Sequence, residues 1–92
     1  MSITIHLAGP LGAYTDRRVD IEIPHAGDVL ELLMKLFAMF PRVRDRILDE
    51  HDKTRPYVNI FVNADNIRDL QGEKTAISEG DDVWVLPSVA GG

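Results

Sequence analysis

Apolar and polar residues alternate from Ser2 to Leu7, with Ile3, Ile5 and Leu7 on one side and Thr4 and His6 on the other. A period of two marks a half-buried strand. Gly9, Pro10 and Gly12 interrupt it, and it resumes as Val19, Ile21 and Ile23 against Asp20 and Glu22. These two runs are expected to form an edge hairpin around a loose loop from Ala8 to Arg17, with Pro24 and Gly27 ending the second strand. The period then changes. Val29, Leu32, Leu33, Leu36, Phe37 and Phe40 recur at three and four residues, the stripe of an amphipathic helix. Asp28 stands before it as an N-cap, and Glu31 three positions on completes an acidic variant of the capping box. Pro41 stops the helix, because the residue before a proline is driven out of the helical region.

Val43, Ile47 and Leu48 predict one further short helical piece, and His51 to Pro56 a polar, charged loop. Val58, Ile60 and Val62 alternate with Asn59 and Phe61 in a third strand, and Asn63 to Asn66 reads as a turn. Ile67 to Leu70 is expected as a short edge segment and Thr75 to Ser78 as a single helical turn carrying Ile77. Gly80 and Asp81 turn into the last strand, Val83 to Leu86, which Pro87 closes. Strands interrupted by one long helix argue for an α+β sheet with the helix on one face. The first and last strands fit most simply as parallel neighbours at the centre. That arrangement is a β-grasp: a mixed four- to five-stranded sheet, one main helix, a domain over 1–87 and a flexible tail over 88–92.

Composition narrows the function. Ninety-two residues make one domain at most. With no cysteine there is no disulfide, no thiolate metal site and no thiol nucleophile. Fifteen acidic residues against ten basic, a net charge of −5, argue against nucleic acid, which is bound by clustered Lys and Arg. The densest basic run, Arg42, Arg44 and Arg46, alternates with Val43 and Asp45 and reads as a solvated helical face. No window offers the ~18 apolar residues of a membrane span. Residues 1–10 lack the basic and apolar regions of a signal peptide, so a cytoplasmic location is expected.

Catalytic groups are thin. His6, His25 and His51 share no ligand spacing, so no metal site is expected. The serines sit in no nucleophile-elbow turn, and the glycines form no phosphate-binding loop. The acidic pairs Glu50/Asp52 and Asp81/Asp82 read as solubilising and turn residues. The chain is therefore not expected to be an enzyme by itself. Its end is different. Gly91 and Gly92 follow a proline-closed strand, and glycines carry no side chain and have wide backbone freedom. Spacing alone leaves two readings open: a frayed end, or a tail that threads a partner's channel and presents its carboxylate there. If the alternating apolar set faces the helix, then His6, Phe61, Trp84 and Leu86 face the other way. Aromatics there read as a docking patch or as a face covered by a second copy or by the loop after Leu7.

Val58-Asn-Ile-Phe-Val-Asn63 with Ile67-Arg68, then Gly80-Asp81-Asp82-Val83, then Leu86-Pro-Ser-Val-Ala-Gly-Gly92 resembles the ThiS/MoaD family of ubiquitin-like sulfur carriers. The likeness is specific from Val58 to Gly92 and looser before it. Within the family, the Arg55 to Asn63 block and the Val-Ala-Gly-Gly ending look most like CysO-type carriers. Leu48 to Pro56 is longer than in most molybdopterin-synthase small subunits. The resemblance implies that a ThiF/MoeB-like enzyme, using ATP and magnesium, adenylates the Gly92 carboxylate, which then becomes a thiocarboxylate. Gly91, Ala90 and Val89 would form the slender tail in the partner's active site. The sulfur acceptor would be a cysteine-synthase-like, ThiG-like or MoaE-like enzyme, serving cysteine, thiamin, molybdopterin or a related metabolite. A chain ending at Gly92 calls for no trimming. Two alternatives share these features: a protein modifier conjugated through Gly92, and a molybdopterin synthase small subunit.

Overall fold

The computed structural model describes residues 2–87. β1 (Ile3–Leu7) alternates buried and half-buried positions as its sequence dictates. A 3-10 turn, Gly9–Tyr14, leads to β2 (Asp20–Ile23), and α1 (Val29–Met39) follows. A 3-10 turn over Pro41–Val43 runs into the single helical turn α2 (Arg44–Ile47). β3 (Val58–Val62) and the two-residue β4 (Asp65–Asn66) form a hairpin, and 3-10 turns at Ile67–Asp69 and Gly72–Lys74 precede β5 (Asp82–Pro87). Among the described residues no helix is long and apolar enough to cross a membrane.

Among the described residues five strands form one mixed sheet in the order β2-β1-β5-β3-β4. β1 and β5 are parallel at its centre, with Ile5 opposite Val83 and His6 opposite Trp84. β2 and β3 flank them antiparallel. This is the expected β-grasp. Ile3, Ile5, Ile60, Val83 and Val85 are at most 1% exposed and pack against the α1 stripe of Val29, Leu32, Leu33 and Leu36, which is wholly buried. Val43, Ile47 and Leu48 close the core beyond the helix, also without exposure.

The start of α1 is built as its sequence implies. The Asp28 carboxylate accepts the Glu31 N–H at 2.8 Å, satisfying one orphan donor of the first turn. Glu31 reaches back to the N–H of Gly27, one residue before the cap, at 2.5 Å. The helix ends at Met39, with Pro41 opening the next turn.

Four local expectations are corrected. The stretch from Ala8 to Arg17 is an ordered turn rather than a loose loop, because Leu11 is drawn into the core at 6% exposure. The Gly12 carbonyl accepts the N–H groups of Thr15 and Arg17, and the buried Thr15 hydroxyl donates to the Arg18 carbonyl at 2.7 Å. Val19, expected to face inward with Ile21 and Ile23, is 38% exposed, since the ladder begins only at Asp20. The edge strand is Asp65–Asn66, inside the expected turn, whereas Ile67–Asp69 winds as a 3-10 turn because Asn66 caps the Arg68 N–H at 2.9 Å. The helical turn expected at Thr75 to Ser78 lies at Gly72–Lys74, where Gly72 takes a positive φ of 59°. Ala76 bridges Asp28, and the Ile77 N–H donates to the Gly27 carbonyl, holding that segment extended.

Candidate functional site

The face of the sheet turned away from α1 carries one row of side chains across all five strands. Register aligns Asp20 on β2, His6 on β1, Trp84 on β5, Phe61 on β3 and Asn66 on β4. The expected patch residues His6, Trp84 and Phe61 are thus immediate neighbours. The fourth, Leu86, lies two residues along β5 on the same face, opposite Asn59. Trp84 is 41% exposed at the centre of the row, while His6, Phe61 and Leu86 are half-buried.

His6 is fixed from three sides. Its Nδ1 lies 2.8 Å from an Asp20 carboxylate oxygen and its Nε2 2.8 Å from one of Asp82. Its ring stacks on Trp84, centroids 4.0 Å apart and planes 18° from parallel. Partial burial by itself would lower the imidazole pKa. The hydrogen bonds and charges of Asp82 and Asp20 outweigh that and raise it above the ordinary 6.5. The positively charged ring is thereby favoured against the indole face. Reading the sequence residue by residue misses this clasp; the signal was present in the alternation, since Asp20 and Asp82 occupy outward positions of the strands flanking β1.

The other end of the site is where β5 leaves the sheet. Pro87 pairs with Val58, and the Ala8 N–H donates to the Val85 carbonyl at 3.1 Å, so β5 finishes between the end of β1 and the start of β3. Arg68 braces this corner: one guanidinium nitrogen donates to Asn59 Oδ1 at 2.6 Å, the other to the Val58 and Arg55 carbonyls at 2.8 and 3.0 Å. The remaining expected site residues, Val89, Ala90, Gly91 and Gly92, lie outside the described residues. Among the described residues no group of three or more His, Asp or Glu side chains is placed to hold a metal ion.

Comparison with known proteins places the fold and the family. The family model described as ThiS matches residues 5–92. The sulfur carrier protein CysO of Mycobacterium tuberculosis is 33% identical over 95 aligned positions that span all of both chains. Small archaeal modifier protein 3 of Haloferax volcanii is 36% identical over 66 residues, 72% of this chain and 67% of its own. In the crystal structure of the Amycolatopsis orientalis BexX/CysO complex, one chain superposes with a TM-score of 0.90 at 26% identity, covering 98% of this chain and 99% of that one. Sequence and fold thus agree from the first strand through the last, and the chain belongs to the ThiS family.

Proposed function

We propose that this protein is a sulfur carrier acting through the carboxylate of Gly92, and that partner enzymes perform the chemistry. One observation carries the reading. The sheet's central strand β5 runs directly into Ser-Val-Ala-Gly-Gly, and the family match continues to residue 92. A carboxylate is a poor electrophile, so it needs activation. A ThiF/MoeB-like enzyme would join it to the α-phosphate of ATP, with magnesium neutralising the phosphates and pyrophosphate leaving. Sulfide then attacks the acyl carbon, AMP leaves with the electron pair of the acyl–oxygen bond, the sulfur gives up its proton to water, and a thiocarboxylate remains. Gly91, Ala90 and Val89 keep the tail thin enough for the partner's channel. The exposed Trp84, with Phe61, Leu86 and His6, is the surface on which such a partner docks, since aromatic side chains supply much of the energy at interface centres. In Amycolatopsis orientalis a CysO protein forms a complex with BexX, which supports a carrier that works through protein partners.

Intact mass spectrometry tests the reading. Incubated with a ThiF/MoeB-like enzyme, magnesium ATP and sulfide, the protein is expected to gain the mass difference of one sulfur for one oxygen, located at Gly92. No gain with such an enzyme that modifies its own carrier sinks the proposal. The likeness to a small archaeal modifier protein favours a second reading, conjugation of Gly92 to lysines. Lysine-linked adducts on immunoblots, without thiocarboxylate, would select it. The acceptor, whether cysteine-synthase-like, ThiG-like or MoaE-like, is the enzyme that discharges the thiocarboxylate when each is added in turn. A cytoplasmic site of action is part of this reading and is checked by fractionation.

A further inference from the structure

The net charge of the protein is −5, yet arginines gather near the end of the sheet where β5 finishes. An open groove of ≈ 600 Å³ there is lined by Tyr14, Arg42, Asp45, Arg46, Arg55 and Tyr57. Three separate segments build it: the close of the first 3-10 turn, the Pro41–Ile47 stretch, and the residues leading into β3. Arg42 and Arg46 stand four residues apart, so a helical course sets them on one side. Arg44 between them turns elsewhere and pairs with Asp52 and Asp45. The Arg42 and Arg46 guanidiniums lie 5.7 and 4.7 Å from the centre of the Tyr14 ring. A guanidinium held over an aromatic ring in this way still has N–H groups to offer a ligand.

The groove is net positive, with three arginines against one lining carboxylate, and Arg55 is anchored in it. Among the described residues the arginine ion pairs all belong to Arg44, and they occupy Asp45, the single carboxylate lining the groove. Arg55 is held in place, its Nε donating to the Asp45 carbonyl at 2.6 Å and its backbone N–H to the Ile47 carbonyl at 3.0 Å. Arg68 pins the Arg55 and Val58 carbonyls on either side of the exposed Tyr57.

We propose that this groove docks an acidic segment of a partner protein, with its carboxylates paired to Arg42, Arg46 and Arg55 and its chain lying against Tyr14 and Tyr57. Planar guanidinium forks match carboxylates in two-point contact. Tyrosine and arginine are the residue types that concentrate binding energy at protein interfaces. The groove is too open to enclose a small molecule, which binds best in a concave pocket burying most of its surface. The field of a net-acidic domain disfavours nucleic acid, which requires a broad basic footprint. Tyr57 adjoins Val58, the partner of Pro87, so whatever receives the tail is within reach of the groove. Only the identity of the partner rests on the carrier reading; the binding itself does not.

The test uses the unmodified protein. Titration of the ¹⁵N-labelled chain with a hexaglutamate peptide at low salt is expected to shift the amides of Tyr14, Arg42, Arg46 and Tyr57. R42Q/R46Q should bind roughly tenfold more weakly, whereas K35Q/K74Q, which removes the same charge outside the groove, should change affinity less than about twofold. Shifts mapping elsewhere, equal losses in both double variants, or tighter binding of a single-stranded RNA to the same residues overturn the proposal. Peptide binding without thiocarboxylate formation leaves the groove standing and removes the carrier reading. Thiocarboxylate formation without peptide binding does the reverse.

Discussion

His6 joins three strands through its side chain: Asp20 on β2, Asp82 on β5 and the Trp84 ring beside it. Its raised pKa makes its contribution to stability fully present below the unfolded value near 6.5 and lost as pH rises through the folded value. Unfolding measured across that window is expected to show the fall, and in D82N the fall should shrink as the His6 NMR titration moves down. Glu73 behaves in the opposite sense. Burial would raise its carboxyl, but the N–H and hydroxyl of Thr54, at 2.8 and 2.7 Å from Oε2, outweigh that and lower it. Its share of stability is present above the ordinary 4.5 and disappears as pH falls through the lower folded value. E73A should cost about 1–3 kcal/mol at neutral pH, since the Thr54 N–H and hydroxyl lose their acceptor. Denaturant unfolding measures it.

At the level of elements, α1 depends on its cap and its stripe. D28A removes the acceptor for the Glu31 N–H and should cost about 1 kcal/mol. L36A empties a fully buried position and should cost about 2–5 kcal/mol. Both are read from thermal or denaturant unfolding. These elements were legible in the sequence because their signal is local: Asp28, the stripe from Val29 to Phe37, and the alternations of Ile3 to Leu7 and Val58 to Val62 each follow from one periodicity. The misread segments answer to distant partners. Leu11 orders its turn by entering the core, Asp65–Asn66 becomes a strand by pairing with Phe61 and Val62, and Ala76 is held extended by Asp28. At the site, alternation places His6, Phe61, Trp84 and Leu86 on one face. The two carboxylates on His6 need strand register, and the arginine groove needs Tyr14 and Arg55, far from Arg42 in sequence.

For the whole molecule, one domain carries two kinds of surface: an aromatic row framed by Asp20 and Asp82, and an arginine-lined groove beside the finish of β5. On the carrier reading, Gly91→Trp should leave the unfolding transition unchanged while abolishing thiocarboxylate formation at Gly92, as intact mass would report. Trp84→Ala should weaken affinity for the activating enzyme, and unchanged affinity would count against the aromatic docking surface. The parallel pairing of β1 with β5 has one more consequence. Thr4 lies opposite Asp82, so the sheet's central ladder joins segments from opposite ends of the chain. Such distant pairings form late and slowly. During synthesis β5 emerges after the other described elements, and until it inserts, β1 and β3 have no neighbour between them. On the carrier reading, the Gly92 carboxylate would therefore be offered on a finished platform only once β5 has completed the fold, so that maturation and readiness for activation would become a single event.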